Sequence, residues 1–328
     1  MSSRRRGPAV AKRQIGLRLR RARLAANKTQ SQVANALDWS ASKILRIENG
    51  HVAVATSDLI ALLMQYDFSE EESAEMIELA RISRRSTLSS SYRDVLTPAF
   101  ADWLEHEAYA AVIQQYETKL IPGVLQTEDY AYSIVHALKG KQVDQETVNR
   151  IVASRLERAK LLTGPDGPMM SFVIDESALR RGVGNERGQY NYVLMIAQLE
   201  KLKRMNTCGR RARNETIEAD LNPRIGIQVV PFEIGGYQAM RGPFELLEFE
   251  EPEDSNMVYF ENPSGDIVIR DSHDETAPYL DMFNELHSTL PECAATNEQI
   301  DIIIELMKQG RNGVPVHAST TGQSTAPA

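Results

Sequence analysis

The chain has 328 residues, 42% hydrophobic and 25% charged, which is ordinary for a globular protein of more than one domain. No stretch is apolar enough to span a membrane, and no apolar region follows the basic N-terminus as a secretory signal requires. Cys208 and Cys293 are too far apart in sequence to indicate a disulfide framework or a metal-binding motif. We therefore expect a cytoplasmic protein without a bound metal or cofactor.

The charge is unevenly distributed along the chain. Residues 1–50 contain twelve Lys or Arg but only two acids, Asp38 and Glu48, which gives a net charge of +10. Because the whole chain carries −8, the remainder carries −18. A basic module joined to an acidic body favours DNA as the partner, since basic side chains neutralise phosphates and release counterions.

The N-terminal region has a helical pattern. We expect residues 1–11 to form a disordered basic arm and residues 12–83 to form an all-α domain of five helices. Thr29, Ser40 and Ser69 stand at positions where helix N-caps are required, because their side-chain oxygens can accept a hydrogen bond from the first turn. The second and third of these helices are short and are separated by only a few residues.

Two short helices joined by a tight turn are typical of a helix-turn-helix, which places its second helix in the major groove of double-stranded DNA. Ile44 and Ile47 are the apolar positions of that helix and should face the core. The positions left to face the DNA are Ser40, Ala41, Ser42, Lys43 and Arg46. An Arg at such a position can read guanine, and an Ala methyl group can pack on a thymine methyl group.

The sequences RLRRARLAANK (18–28), TQSQVANAL (29–37) and SASKILRIENG (40–50) resemble the phage-repressor and Cro type of helix-turn-helix, also called the XRE type. Asp38 departs from the pattern because glycine is common at this position of the turn. Asp is, however, among the non-glycine residues that best tolerate a positive φ. Proteins of this type bind paired half-sites, so we expect a homodimer.

The resemblance also implies roles for individual residues. It implies that Gln30 and Asn49 hold DNA phosphates, and that Arg23 and Glu48 form a buried structural ion pair. It implies contacts with bases for three residues of the second helix, Ala41, Ser42 and Arg46.

The remainder of the chain predicts an α+β domain. Residues 84–97 are polar and Ser-rich, which indicates a linker with few contacts, and residues 310–328 indicate a disordered tail. Between them, residues 98–309 are expected to form the second domain. Helices are predicted across 98–162, with breaks, and at 189–206, 274–290 and 297–309. Strands are predicted at 172–175, 225–231, 244–250, 257–262 and 267–270.

The sequences YETKLIPGVLQTEDYA (116–131), VIDESALRRGVG (173–184) and IQVVPFEIGGYQAMRGPFELLEF (227–249) resemble the C-terminal domain of actinobacterial antitoxin-like regulators. The resemblance implies a small partner protein encoded by a neighbouring gene. Gln126 and Tyr130 either contact a ligand or partner or belong to a structural bend. Tyr237 and Arg241 lie in a Gly-rich loop and are candidate residues for a ligand rim.

Enzyme motifs are absent from the sequence: no P-loop and no nucleophile elbow occurs, and His106-Glu107 lacks the second His of a zinc-protease helix. We therefore assign no catalytic residue and expect a transcriptional regulator controlled by a partner protein or a ligand. Two alternatives are an antitoxin that acts mainly by sequestering a small protein and an enzyme tethered to DNA.

Overall fold

The computed structural model describes residues 8–85, 88–140, 143–184, 190–250 and 255–310. The predicted N-terminal helical domain is confirmed. Its helices are α1 (Pro8–Ala25), α2 (Gln30–Ala36), α3 (Ala41–Glu48), α4 (Thr56–Gln65) and α5 (Glu70–Ile82). Their apolar stripes meet in one core that includes Ile15, Leu19, Val33, Ile44 and Leu59.

Local chemistry sets the helix boundaries in this domain. Thr29 Oγ1 accepts a hydrogen bond from the backbone N of Gln32, and the Gln32 side chain accepts one in return from the backbone N of Thr29. Ser69 and Glu72 form the same reciprocal cap at the start of α5. Asp38, with φ of 56°, adopts the left-handed conformation that the turn between α2 and α3 requires.

The first helix begins earlier than predicted. Residues 8–11 were assigned to the disordered arm, but they form the first turn of α1, and Val10 and Ala11 are buried. Ala11 joins the core of the helical domain, and the next two residues, Lys12 and Arg13, bind the C-terminal domain, so the start of α1 is held by tertiary contacts. Residues 1–7, the rest of the predicted arm, lie outside the described residues.

The predicted linker makes more contacts than its composition indicates. It contains a short helix, α6 (Leu88–Ser91), and the Tyr92 hydroxyl donates a hydrogen bond to Glu157 Oε1 at 2.8 Å. Arg150 Nη2 lies 2.6 Å from Asp94 Oδ1. The expectation of a contact-poor linker is therefore wrong for the described part of 84–97.

The C-terminal domain is α+β, as predicted. Its strands are β1 (Val112–Glu117), β2 (Met169–Asp175), β3 (Ile225–Val230), β4 (Phe244–Glu248), β5 (Met257–Phe260) and β6 (Ile267–Ile269). They form one sheet in the order β3-β2-β1-β4-β5-β6. The strands β3, β2 and β1 are parallel neighbours, whereas β4, β5 and β6 continue the sheet in antiparallel fashion.

Helices cover both faces of this sheet. They are α7 (Pro98–Glu107), α8 (Glu128–Lys139), α9 (Gln145–Thr163), α10 (Glu176–Arg180), α11 (Tyr192–Met205), α12 (Thr207–Ala212), α13 (His273–Thr289) and α14 (Cys293–Lys308). Successive strand residues point to opposite faces. Phe172 and Ile174 therefore join the larger core with α11 and α14, whereas Val173 joins the smaller core with Phe283 of α13.

The central strand β1 lies within residues 98–162, where the sequence predicted helices, so that prediction is wrong for Val112–Glu117. Its sequence, VIQQYE, contains two adjacent glutamines and lacks a clear alternation of apolar and polar residues. The strand pairs with β2 on one side and β4 on the other, and these pairings determine its conformation.

No helix in the described part of the chain is both long and apolar enough to cross a membrane. Residues 311–328, which make up nearly all of the predicted tail, lie outside the described residues.

Candidate nucleic-acid interface

The third helix presents a continuous exposed face. Ile44, Ile47 and Glu48 are buried against the rest of the helical domain. The residues that remain exposed are Ala41, Ser42, Leu45 and Arg46, together with Asn49 at the C-cap. Among the described residues no hydrogen-bond or ion-pair partner occupies the Arg46 guanidinium, so its donors are available to a ligand.

Two of the predicted DNA-binding residues are engaged within the protein. The Ser40 side chain caps α3 by accepting a hydrogen bond from the backbone N of Lys43 at 3.3 Å. Lys43 Nζ lies 2.8 Å from Asp58 Oδ2 and 3.6 Å from the centre of the Trp39 ring. Lys43 therefore lies on the flank of α3, where Asp58 and Trp39 hold its side chain.

A concave surface of about 760 Å³ lies beside the exposed face of α3. The residues that line it include Arg20, Lys28, Gln30, Ser31, Leu45 and Asn49. The surface thus joins the end of α1, the start of α2 and the end of α3. It brings together the two predicted phosphate contacts, Gln30 and Asn49, with the cations Arg20 and Lys28.

Arg23 and Glu48 form a buried ion pair at this surface, and the half-buried Gln30 joins it. Arg23 Nε donates to Glu48 Oε1 at 2.6 Å, and Arg23 Nη2 donates to Glu48 Oε2 at 2.9 Å. This bidentate hydrogen bonding raises the pKa of Arg23. Gln30 Nε2 donates to Glu48 Oε2 at 2.8 Å, so one of its two amide hydrogens remains for a phosphate.

Close backbone contacts hold α1 against the end of α3. A Cβ atom on Gly16 would lie 2.5 Å from the carbonyl oxygen of Glu48, so no larger residue fits there without displacement. Gly50, with φ of +66°, adopts a conformation that favours glycine, and a Cβ atom there would lie 3.1 Å from Arg13 Cα. The position of the recognition helix therefore depends on the position of α1.

The structure assigns a structural role to two of the predicted ligand contacts. Gln126 is only 3% exposed, and it donates to the Ile121 carbonyl and accepts from Arg155 Nη1. Tyr130 is fully buried, and its hydroxyl accepts from the backbone N of Ile121. Both side chains hold the Pro-Gly bend before α8, so neither can reach a partner at the surface.

The other two predicted contacts lie at the surface, at the carboxyl ends of the parallel strands. The Tyr237 hydroxyl donates to Asp175 Oδ2 at 2.6 Å and lies 2.7 Å from the Tyr116 hydroxyl. Arg241 is exposed a few residues later. Tyr237 thus anchors the loop between β3 and β4 to the sheet, and Arg241 remains accessible.

Sequence reasoning missed the buried charges of the C-terminal domain. Arg158 of α9 binds both Glu107 of α7 and Glu245 of β4. Glu117, at the end of β1, is half-buried and accepts a hydrogen bond from the Gln115 amide, and desolvation raises its pKa to about 8. The sequence does contain a signal for these sites, namely a charged residue on an otherwise apolar helix face or at the end of an apolar strand. The partners, however, are distant in sequence.

Two family models match the chain. A model described as a helix-turn-helix domain matches residues 14–76, which cover most of α1, all of α2–α4 and the first half of α5. A model described as a domain of unknown function, DUF5753, matches residues 100–212 and 215–295, which is more than half of the chain. The chain belongs to the DUF5753 family. No curated protein and no solved structure matches it.

The DUF5753 domain contacts the helix-turn-helix domain directly through α1. Lys12 Nζ lies 2.9 Å from Glu105 Oε2 of α7. Arg13 is 5% exposed and donates through Nη2 to Ser255 Oγ at 3.0 Å, and its guanidinium lies 5.7 Å from the centre of the Phe249 ring. The first helix is therefore shared between the DNA-binding domain and the DUF5753 domain.

Proposed function

We propose that the chain is a sequence-specific transcription regulator that inserts α3 into the major groove of its operator as a homodimer. The observation that carries the proposal is the exposed face of α3, with Ala41, Ser42 and Arg46 next to a concave surface lined by cations. Bases are read by side chains that reach the groove, whereas phosphates are held by cations and amides around it. This chain offers both kinds of group on one surface.

The contacts can be assigned by chemistry. The Arg46 guanidinium, which has no partner among the described residues, can donate two hydrogen bonds to O6 and N7 of a guanine. Gln30 and Asn49 hold phosphates on either side of the concave surface, with Arg20 and Lys28 adding positive charge. Arg23 and Glu48 do not contact DNA in this proposal, because they fix the angle between α1 and α3.

The DUF5753 domain acts as the regulatory part of the molecule, and α1 transmits its state to the recognition helix. The route is short, because the Arg13 side chain binds the DUF5753 domain while the Arg13 backbone packs against Gly50 at the end of α3. A small protein encoded by a neighbouring gene, or a ligand, would change DNA affinity by shifting α1. In this proposal the regulator is of the XRE type and antitoxin-like. It acts in the cytoplasm and catalyses no reaction.

Binding-site selection from random-sequence duplexes tests the proposal with the full chain. We expect an enriched, two-fold symmetric sequence that contains a guanine in each half-site. Failure to enrich any sequence above the non-specific background at physiological salt would contradict it.

A specific observation favours a second candidate function, an antitoxin that mainly sequesters a partner protein. Three apolar side chains are exposed around the Gly235-Gly236 loop, namely Phe232, Ile234 and Met240. Exposed apolar groups clustered on one loop are typical of protein contacts. Purification from the native host with a stable one-to-one partner, and without a selected DNA site, would support this candidate.

A further inference from the structure

The exposed face of α3 consists of two strips with different chemistry. Ser42, Arg46 and Asn49 form a polar strip, because residues three and four apart in sequence are neighbours on a helix surface. Ala41 and Leu45 are four residues apart and form an apolar strip beside it. The helix therefore presents hydrogen-bonding groups and apolar groups to the same groove.

Leu45 is not part of the domain core. Its side chain is 44% exposed, although Ile44 and Ile47 on either side of it in sequence are almost completely buried. It lies on the concave surface that also contains Gln30 and Asn49. A large apolar side chain therefore lies on a surface whose charged groups, Arg20 and Lys28, favour a polyanion.

We propose that Leu45 is a specificity-determining residue that packs, together with Ala41, against the 5-methyl group of a thymine in each half-site. The inference rests on the proposed function, because it requires α3 to lie in the major groove. The thymine methyl group is the apolar feature of the major groove, and it distinguishes this base from the others. DNA is favoured over an apolar protein partner because cations lie beside Leu45.

Replacement of thymine by deoxyuracil tests this contact without changing base pairing. In one half-site of the selected operator, each thymine is replaced in turn and the affinity of the full chain is measured. We expect one position at which the wild-type chain loses affinity by about four-fold, the factor that corresponds to burial of one methyl group. In Leu45→Ala, the ratio between thymine and deoxyuracil at that position should fall to about one.

Two control variants isolate the effect. Lys43→Ala removes a neighbouring side chain that is held by Asp58, and Ile60→Ala removes a comparably exposed apolar side chain from α4. Both variants should keep the four-fold ratio. Because Leu45 is exposed, Leu45→Ala should retain the circular dichroism spectrum and melting temperature of the wild type.

Three outcomes would overturn the inference while leaving the proposed function intact. One is a selected operator at which no thymine replacement changes affinity. Another is an unchanged ratio in Leu45→Ala, which would assign the methyl contact to Ala41 alone. The third is a weaker self-association of Leu45→Ala in sedimentation with an unchanged ratio, which would place Leu45 in a contact between two copies of the chain. If no operator can be selected, the proposed function itself fails.

Discussion

Arg13 and Asp271 are 258 residues apart in sequence, and Arg13 Nε donates to Asp271 Oδ1 at 2.8 Å. The contact joins the first helix of the DNA-binding domain to the segment between β6 and α13. Because the Arg13 backbone also packs against Gly50, one residue links the DUF5753 domain to the end of the recognition helix. The link places the C-terminal domain in contact with the residue that packs against the end of α3.

Arg13→Ala should weaken the attachment of the two domains. It removes hydrogen bonds to Asp271 and to Ser255 and leaves a gap beside Phe249. We expect a loss of about 2 kcal/mol in the free energy of unfolding, the usual value for hydrogen bonds that involve a charged group. In differential scanning calorimetry of Arg13→Ala, the helical domain should melt at a lower temperature than the DUF5753 domain.

Arg81→Ala is the matched control for Arg13→Ala, because Arg81 pairs with Glu78 on the exposed surface of α5. It should change stability by less than about 0.5 kcal/mol. Equal melting curves for Arg13→Ala and Arg81→Ala would show that the contact between the domains contributes nothing to stability.

Removal of Glu48 should destabilise the helical domain strongly. Its carboxylate is buried and binds both Arg23 and Gln30, so Glu48→Ala leaves the Arg23 guanidinium without its partner. We expect a loss of about 3–5 kcal/mol in a denaturant titration without DNA. Simultaneous replacement of Arg23 by Met and Glu48 by Leu should cost much less, because neither charge then remains buried.

A melt of Glu48→Ala that matches the wild type would contradict a structural role for the pair. If Arg23→Ala then weakened DNA binding with unchanged stability, Arg23 would be a phosphate contact instead. The burial of both side chains argues against that outcome.

The operator should be two-fold symmetric, with half-sites about one helical turn of DNA, or a multiple of it, apart. A single helical domain offers few base contacts, so two copies are needed for high affinity. Footprinting should show two protected half-sites, and sedimentation should show two chains per operator. A single protected half-site with one bound chain would contradict the dimer.

The stability of the DUF5753 domain should decrease as the pH rises through 8. Burial raises the pKa of Glu117 from 4.5 to about 8, so the folded state holds a proton that the unfolded chain releases. This group therefore contributes its full stabilisation below pH 4.5, and the contribution falls between pH 4.5 and about 8, above which both states are ionised. Glu117→Gln, which stays neutral, should show a smaller loss of melting temperature between pH 6 and pH 9.

Glu128→Gln is the control for the pH prediction, because Glu128 is exposed in the first turn of α8. It should retain the pH dependence of the wild type. Parallel melting curves for wild type and Glu117→Gln across this pH range would show that Glu117 is ionised in the folded state.

The features that the sequence predicted correctly depend on residues close together in the chain. The caps at Thr29 and Ser69 and the buried residues Ile44 and Ile47 follow from local spacing. Lys43 could not be placed in the same way, because Asp58, which holds it, belongs to a different helix. The strand β1 and the contacts of Arg13 likewise depend on partners more than fifty residues away.

The base preferences of Arg46→Ala decide whether α3 reads bases in the major groove. Arg46 is exposed and has no partner in the described part of the chain, whereas Lys43, three residues earlier, is held by Asp58. In a quantitative binding-site selection, Arg46→Ala should lose about 1–3 kcal/mol of affinity and its preference for guanine at one position of each half-site. Lys43→Ala should keep every base preference of the wild type. An unchanged consensus in Arg46→Ala would show that Arg46 does not read a base.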